Sequence, residues 1–211
     1  MISLGGTYEP IDSVRGITNK SSGKMGLELA KEAYIRGANV TLVVANVSVR
    51  IPPFFNVVNV ETSSEMNTVI LSLVNDFDIF ISTAAVSDFE FNKQDDKKID
   101  SSSSLFINLK PTSKIIRQIK KINPDIFLVG FKAEFNISED DLINCAKKQI
   151  RDAGCDLVVA NDVSNENCQF GSDKNEVMII DDEEVLSVPL ASKKEIAKAI
   201  FDEISKRYDL M

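Results

Sequence analysis

An α/β fold with a largely parallel sheet, flanking helices and an appended antiparallel β-hairpin is what this sequence predicts. Short apolar runs bounded by turn residues alternate with stretches of helical period, the pattern of crossover units on a parallel sheet. Near the end, two apolar runs are separated only by Asp-Asp-Glu, the spacing of an antiparallel hairpin. A length of 211 residues with 44% hydrophobic content suits a single domain over residues 1–211, since domains commonly hold ~100–200 residues.

Taken in order, strands are predicted at residues 2–4, 39–44, 57–60, 78–82, 126–131 and 156–160. The first helix is predicted over 23–36, with Ser21 or Ser22 as N-cap and Gly37 at its C-terminal end. Gly26, Leu29, Ala30, Ala33 and Tyr34 share its inward face. Further helices fit 63–74, 112–122 (Ile115, Ile116, Ile119 and Ile122 inward) and 138–153 (Leu142, Ala146, Ile150 and Ala153 inward). Ile196, Ile200 and Ile204 repeat the same period at the end of the chain, after a hairpin over 175–180 and 184–188. Residues 90–104, EFNKQDDKKIDSSSS, break the pattern. They are too polar to order by burial, and such a segment is either a solvated loop or a functional lid.

The net charge of −8 argues against nucleic acid and an anionic membrane surface as partners, because both select for positive fields. Cys145, Cys155 and Cys168 are unevenly spaced, and the chain contains no histidine, so neither a disulfide framework nor a zinc site is suggested. The chain opens on Met1-Ile-Ser-Leu4 without a charged leader and carries no run of ~18 apolar residues. A soluble, cytoplasmic protein is the expectation. Chemistry then falls to Lys, Arg, Asp, Asn and backbone amides.

Two polar clusters sit where strands end. The first strand runs into Gly5-Gly6-Thr7, and a helix begins after Ser21-Ser22-Gly23-Lys24; glycines admit close backbone approach, and a helix start offers free amides to anions. The spacing is neither that of a dinucleotide fingerprint nor that of a P-loop. Between them lie Asp12, Arg15, Thr18 and Asn19, which a structural reading makes a surface pair and a turn cap. The second cluster, at 82–88, is a run of small residues ending in Asp88. Open α/β sheets bind ligands at such carboxyl edges.

The run GGTYEPIDSVRGITNKSSGKMG at 5–26 is followed in order by AAVSDF at 84–89, Lys98-Ile99, GFKAE at 130–134, DLVVAND at 156–162 and FGSDKNEV at 170–177. Together these segments resemble the phosphopantothenoylcysteine synthetases, usually met as the C-terminal half of a bifunctional coenzyme A biosynthesis protein. The resemblance spans essentially the whole chain. It implies a Rossmann-like homodimer and a ligase that joins L-cysteine to 4'-phosphopantothenate through an acyl-nucleotidylate. The nucleoside triphosphate is CTP or ATP, used with Mg²⁺, and CTP is the expectation here. A decarboxylase, fused or associated, accompanies the family.

By position, the resemblance gives Asn19 contact with the activated acyl group and Arg15 reach to phosphopantothenate across the dimer interface. Ala84, Ala85 and Asp88 surround the substrates. Ser82, Thr83, Ala84 and Asp88 hold the nucleotide, with Ser113, Lys114, Ile115, Ile116 and Phe131 on its base side. Lys98, on a mobile flap at about 90–104, binds nucleotide and acts in converting the intermediate. Two departures stand out. Gln149 and Ala153 replace lysines that serve the triphosphate in the family, and the flap reads Lys98-Ile99-Asp100-Ser101 where many bacterial members carry KIKK. Two rival readings are a non-catalytic binder of the same ligands and an NAD(P)-dependent reductase. The reductase needs a Tyr-x-x-x-Lys pair, which none of Tyr8, Tyr34 and Tyr208 provides.

Overall fold

The structure is a computed structural model that describes residues 1–91, 105–165 and 167–208. From the amino end these form β1 (Ile2–Leu4), the hairpin β2 (Tyr8–Pro10) and β3 (Gly16–Thr18), α1 (Lys24–Ile35), β4 (Thr41–Val44), β5 (Asn56–Asn59) and α2 (Ser63–Leu73), which runs into a 3-10 turn at Val74–Asp76. Next come β6 (Ile79–Ser82), β7 (Phe89–Phe91), β8 (Leu109–Pro111), α3 (Ile116–Ile122) and β9 (Phe127–Glu134). The chain continues through α4 (Glu139–Ala153), β10 (Leu157–Asp162), β11 (Lys174–Ile180), β12 (Val185–Ser192) and α5 (Lys193–Arg207).

Eight strands form the main sheet in the order β12-β11-β10-β9-β6-β1-β4-β5. Pairing is parallel except along the β10-β11-β12 edge. After β1 the chain winds outward through β4 and β5, then returns to β6 on the other side of β1 and winds away through β9 and β10. The reversal lies between β1 and β6, so their carboxyl ends diverge there and leave a crevice. This is the Rossmann-like arrangement the motifs imply.

The central strands are apolar on both faces because helices cover both, whereas the edge strands β5 and β12 are largely exposed. Ile2, Leu4, Leu42 and Val44 pack with α1 and α5. Met1, Val43, Phe80 and Leu128 pack with α2, α3 and α4 on the opposite side. Local capping sets several helix starts. Thr62 accepts from Glu65 N at 3.1 Å ahead of α2, Ser138 Oγ accepts from Asp141 N at 3.2 Å ahead of α4, and Ser192 forms a reciprocal capping box with Glu195 at α5.

Some boundaries differ from the sequence expectation, each for a visible reason. The third helix begins at Ile116 rather than 112, because Thr112 is held extended: its N–H donates to Asp88 O at 3.0 Å and its hydroxyl to Ser87 O at 2.6 Å. No side chain of Ser21 or Ser22 caps α1; its N-cap is Gly23 at φ 77°, and Ser22 Oγ reaches Lys24 N only at 3.4 Å. Tyr34 and Ile122 are exposed rather than inward, and Tyr34 lies on Phe54 with ring centroids 4.9 Å apart. The hairpins β2-β3 and β7-β8 were not legible as strands. Glu9 of the first is buried and accepts from Ser63 N at 2.9 Å, placing a carboxylate against the positive end of α2.

Gly26 fixes how closely α1 approaches the sheet. A Cβ there would lie 2.5 Å from Leu4 Cβ and 2.6 Å from Thr83 Oγ1. In a free helix Gly→Ala gains up to ~1 kcal/mol. Here overlap opposes that gain, and overpacking typically costs ~1–3 kcal/mol. Gly26→Ala is therefore expected to lower the urea midpoint by an amount equivalent to ~1–2 kcal/mol. A midpoint that is unchanged or raised would contradict this close packing.

Candidate functional site

The loops that follow β1 and β6 are laced together at the crevice. Ala85 N donates to Gly5 O at 2.8 Å, Thr7 N to Ala85 O at 3.2 Å, and Ser87 N to Thr7 Oγ1 at 2.9 Å. The β2-β3 hairpin folds back over this seam, where Thr18 Oγ1 donates to Thr7 O and Asn19 Nδ2 to Ala85 O, both at 2.9 Å. Gly6 permits the approach, since a Cβ on it would sit 2.7 Å from Asn19 O.

Two cavities meet at the seam. The larger, of about 330 Å³, spreads over the carboxyl edge between the start of α1, the 83–88 loop, Phe131 and the connection from β10 to β11. The smaller, of about 280 Å³, is lined by Glu9, Ile17, Asn19, Ser87, Asp88 and Phe89 among others. Asp88 borders both. A side recess of about 300 Å³ lies between α3 and α4 and shares Lys114, Lys132 and Gln149 with the larger cavity. A wider depression of about 690 Å³ beyond β4 and β5 is lined by Ile51, Pro52, Pro53 and Phe55 among others, with no charged side chain among the described residues.

Among the described residues the larger cavity is positive although the protein is acidic: Lys24, Lys114, Lys132 and Lys193 line it against the carboxylate of Asp88. Lys114 pairs with Asp88 and Lys132 with Glu134 at 2.8 Å; both pairs are accessible. Exposed pairs contribute only ~0–1 kcal/mol and exchange readily for a stronger anion. At the far end, Lys24 Nζ donates to Gly171 O at 2.6 Å and to Asp173 Oδ1 at 2.7 Å. Lys193, 8% exposed, donates to Ser172 O. Burial first, then the charge of Lys24, holds the Lys193 ammonium below the usual lysine range. Asp173 is lowered, first by its hydrogen bond from Lys24. With no side-chain cap at Gly23, the first turn of α1 presents its amides beside these lysines.

The residues singled out from the sequence are placed as follows. Thr83, Ala84, Ala85, Asp88, Lys114 and Phe131 line the larger cavity, Asn19 the smaller one, and Ile116 the side recess. Ser82 ends β6 in register with Gly130 and lines none of the three. Ser113 is exposed and also outside the linings, and Ile115 is a core residue at 5% exposure. Arg15 sits in the turn between β2 and β3, where Nε and Nη2 bond the buried Asp12 carboxylate at 3.0 and 2.6 Å. Lys98 lies outside the described residues. Among the described residues no group of three or more Asp, Glu, Cys or His is placed to hold a metal, and no helix is long and apolar enough to cross a membrane.

Sequence reasoning gave no role to Lys132, Asn161, Asn175 and Lys193, which line the same cavity. Three of them stand inside the recognisable segments GFKAE, DLVVAND and FGSDKNEV, so a signal was present without a function. Lys193 opens α5 with no motif of its own.

Residues 1–208 match the family described as DNA/pantothenate metabolism flavoprotein C-terminal domain. The chain is 45% identical over 209 residues to a coenzyme A biosynthesis bifunctional protein CoaBC of Thermococcus kodakarensis, covering 98% of this chain and 50% of that one. It thus spans about half the length of the relatives it matches. Among solved structures, the DNA/pantothenate metabolism flavoprotein from Streptococcus pneumoniae superposes with TM-score 0.86 at 28% identity, over 97% of both chains. The C-terminal domain of a CoaBC protein superposes with TM-score 0.82 at 30% identity, over 99% of this chain and 94% of that one.

One thiol reports on the wall between the larger cavity and the recess. Cys155, hydrogen-bonded by Gln149, has its pKa pushed up to about 12, by burial first and then by Asp156. A folded value above the unfolded one favours the protonated thiol, so this contribution to stability is full below the unfolded pKa of ~8.5 and is lost as pH rises through about 12. Native protein treated with iodoacetamide at pH 8.5 should leave Cys155 unmodified until denaturant is added. Prompt native alkylation of Cys155 would contradict the closed wall.

Proposed function

We propose, from the premise that the chain belongs to the family of DNA/pantothenate metabolism flavoprotein C-terminal domains, that it is a phosphopantothenate–cysteine ligase acting in coenzyme A biosynthesis. The observation that carries this reading is the seam itself. Asn19, the residue expected at the acyl group, is hydrogen-bonded to Ala85 where a lysine-rich cavity fit for a nucleotide meets a second cavity. The C-terminal domain of a CoaBC protein, a neighbour at 30% identity, supports it.

The chemistry proceeds in two displacements. A carboxylate is a poor electrophile, so its oxygen attacks the α-phosphorus of the nucleoside triphosphate, forming an acyl–phosphate anhydride and releasing pyrophosphate. The amine of cysteine then attacks the acyl carbon. A C–N bond forms, the C–O bond to phosphate breaks, the nucleoside monophosphate leaves with that electron pair, and the nitrogen loses its proton. Both steps develop negative charge on oxygen. What the protein supplies is position and electrostatic stabilisation, which need no histidine.

Asn19 uses one N–H on Ala85 O and keeps a second for the acyl oxygen. Lys114 and Lys132 face the phosphates, exchanging their surface pairs for them, and Phe131 offers a flat apolar face to the base. Thr83 Oγ1 is committed to Ser3 O at 2.6 Å, so with Ser82 it shapes the floor under the nucleotide. Ser113, Ile115 and Ile116 bound the base side through the start of α3. Lys98, outside the described residues, is assigned to nucleotide binding and to the second step. Were Mg²⁺ bound with the triphosphate, Asp88, the carboxylate that borders both cavities, would help hold it, and the ion would supply neutralisation of the phosphate charge.

The working unit is a homodimer. Val14, Ile17, Phe89 and Leu109 are exposed apolar residues on the two small hairpins around Arg15, and a second copy covering them would bring Arg15 to the neighbour's phosphopantothenate. The nucleotide is CTP, with ATP the alternative, and the place of action is the cytoplasm. A decarboxylase completes the assembly, in keeping with relatives twice as long.

Pyrophosphate release with phosphopantothenate, cysteine, Mg²⁺ and each nucleoside triphosphate in turn tests the reading and the base preference together. Wild type should turn over, fastest with CTP. Asn19→Asp, which sets a negative charge beside a developing one, should lose ~10²–10³-fold in kcat. Absence of release with every nucleotide would leave a non-catalytic binder, and undiminished turnover by Asn19→Asp would remove Asn19 from the chemistry.

A further inference from the structure

A nucleotide has a charged part and an uncharged one, and the lysines of the larger cavity suit only the first. The recess between α3 and α4 opens from that cavity and carries Ile116, Cys145 and Ala153 on its lining. Its charged groups are accessible and largely paired, Arg117 with Asp152 at 2.6 Å and Lys132 with Glu134 at 2.8 Å. Three residues, Lys114, Lys132 and Gln149, line both spaces and so stand at the boundary where a base would enter. Lysine only donates hydrogen bonds. Of the three, Gln149 alone can both donate and accept.

The Gln149 carboxamide is held in a slot left by a missing side chain. A Cβ on Gly130 of β9 would lie 2.3 Å from Gln149 Nε2, 3.1 Å from Ile116 Cδ1 and 3.2 Å from Cys155 Sγ. The amide nitrogen thus occupies the space that any other residue at 130 would fill, between Ile116 and the thiol that it hydrogen-bonds. A side chain with three rotatable bonds is given one position near the end of α4. Groups fixed in advance lose little freedom when a ligand arrives, so they discriminate between ligands more sharply. With the nitrogen committed to Gly130 and Cys155, Oε1 is the free atom of the amide, and no described residue donates to it.

An acceptor in that place distinguishes bases by one group. Cytosine and adenine carry an exocyclic amine, where uracil and guanine carry a carbonyl oxygen. Oε1 can accept from the amine, but it repels the carbonyl and leaves both oxygens without a donor. Gln149 is also one of the two positions at which this chain departs from the lysines that the resemblance implies. A neutral amide adds nothing to a triphosphate site. It can read the edge of a base.

We infer that Gln149 is the residue that selects the nucleotide: held by Gly130 and Cys155, it accepts from the exocyclic amine shared by cytosine and adenine, so that CTP and ATP are used and UTP and GTP are refused. The inference rests on the ligase reading above and deepens it. The choice between CTP and ATP is left to the size of the recess.

Pyrophosphate release by the full chain, with phosphopantothenate and cysteine and with CTP, ATP, UTP or GTP over a range of concentrations, tests this. Wild type should show kcat/KM for CTP roughly tenfold to hundredfold above that for UTP, the discrimination expected of a well-placed side chain on a base edge. Gln149→Met, of similar length but without the amide, should lower kcat/KM for CTP and leave UTP little changed, bringing the two within about threefold of each other. Gln149→Ala serves in its place if the methionine variant fails to fold. Gln149→Glu keeps the acceptor and should keep the preference for CTP over UTP, even where every nucleotide binds more weakly. Equal use of CTP and UTP by wild type, a wild-type preference in Gln149→Met, or loss of preference in Gln149→Glu overturns the assignment while leaving the ligase reading standing. Wild-type protein that releases no pyrophosphate with any of the nucleotides overturns the ligase reading itself, and this inference with it.

Discussion

The carbonyl oxygen of Ala85 accepts from Thr7 N at 3.2 Å and from Asn19 Nδ2 at 2.9 Å, and the carboxyl edge of the sheet is organised around that junction. Half-buried backbone groups need partners, and these come from three separate segments: the ends of β1 and β6 and the return of the β2-β3 hairpin. Each bond is worth only ~1 kcal/mol net, yet together they decide where Asn19, Ala84 and Asp88 stand relative to one another. The constraint beneath them is steric. With a Cβ on Gly6, the Asn19 backbone could not lie at its present depth. A site fixed by hydrogen bonds in the folded protein requires little rearrangement when charge develops, which is where such sites gain their rate.

Around that junction the charges are distributed against the overall balance. A protein of net charge −8 places, among its described residues, four lysines and one carboxylate on the lining of one cavity. Their distribution matters as much as their number. Lys114 and Lys132 sit near the seam in accessible pairs that a phosphate can displace, while Lys24 and Lys193 sit at the far end on backbone carbonyls that hold their positions. Positive potential confined to a concave surface gathers anionic substrates without making the whole protein sticky to polyanions.

Much of this was readable before any coordinates. Alternating apolar runs and helical periods gave the layers, since strands buried on both faces have little choice but to be continuous and apolar, as residues 41–44 and 157–160 are. What escaped was set by tertiary contacts. The helix at α3 starts late because Thr112 is tied to Ser87 and Asp88, residues 24 or more positions away in the chain. The three-residue strands β2, β3, β7 and β8 are too short for periodicity to show. Within the site, Asn19, Asp88 and Phe131 were legible through motifs, whereas Lys193 was not, because it reaches the cavity only through the packing of α5 beside α1. Ile115, which the resemblance places on the base side of the nucleotide, has its side chain in the core, so any part it plays there passes through the start of α3.

The central claim is that this cavity activates a carboxylate as an acyl-nucleotidylate before any amine arrives. Incubating the protein with phosphopantothenate, Mg²⁺ and CTP in the absence of cysteine, then analysing the quenched mixture by mass spectrometry, tests that directly. The account predicts a phosphopantothenoyl-nucleotidylate in an amount comparable to the protein, discharged to the cysteine amide and nucleoside monophosphate when cysteine is added. No such species with either CTP or ATP, or product formation with release of nucleoside diphosphate and phosphate instead, would contradict it.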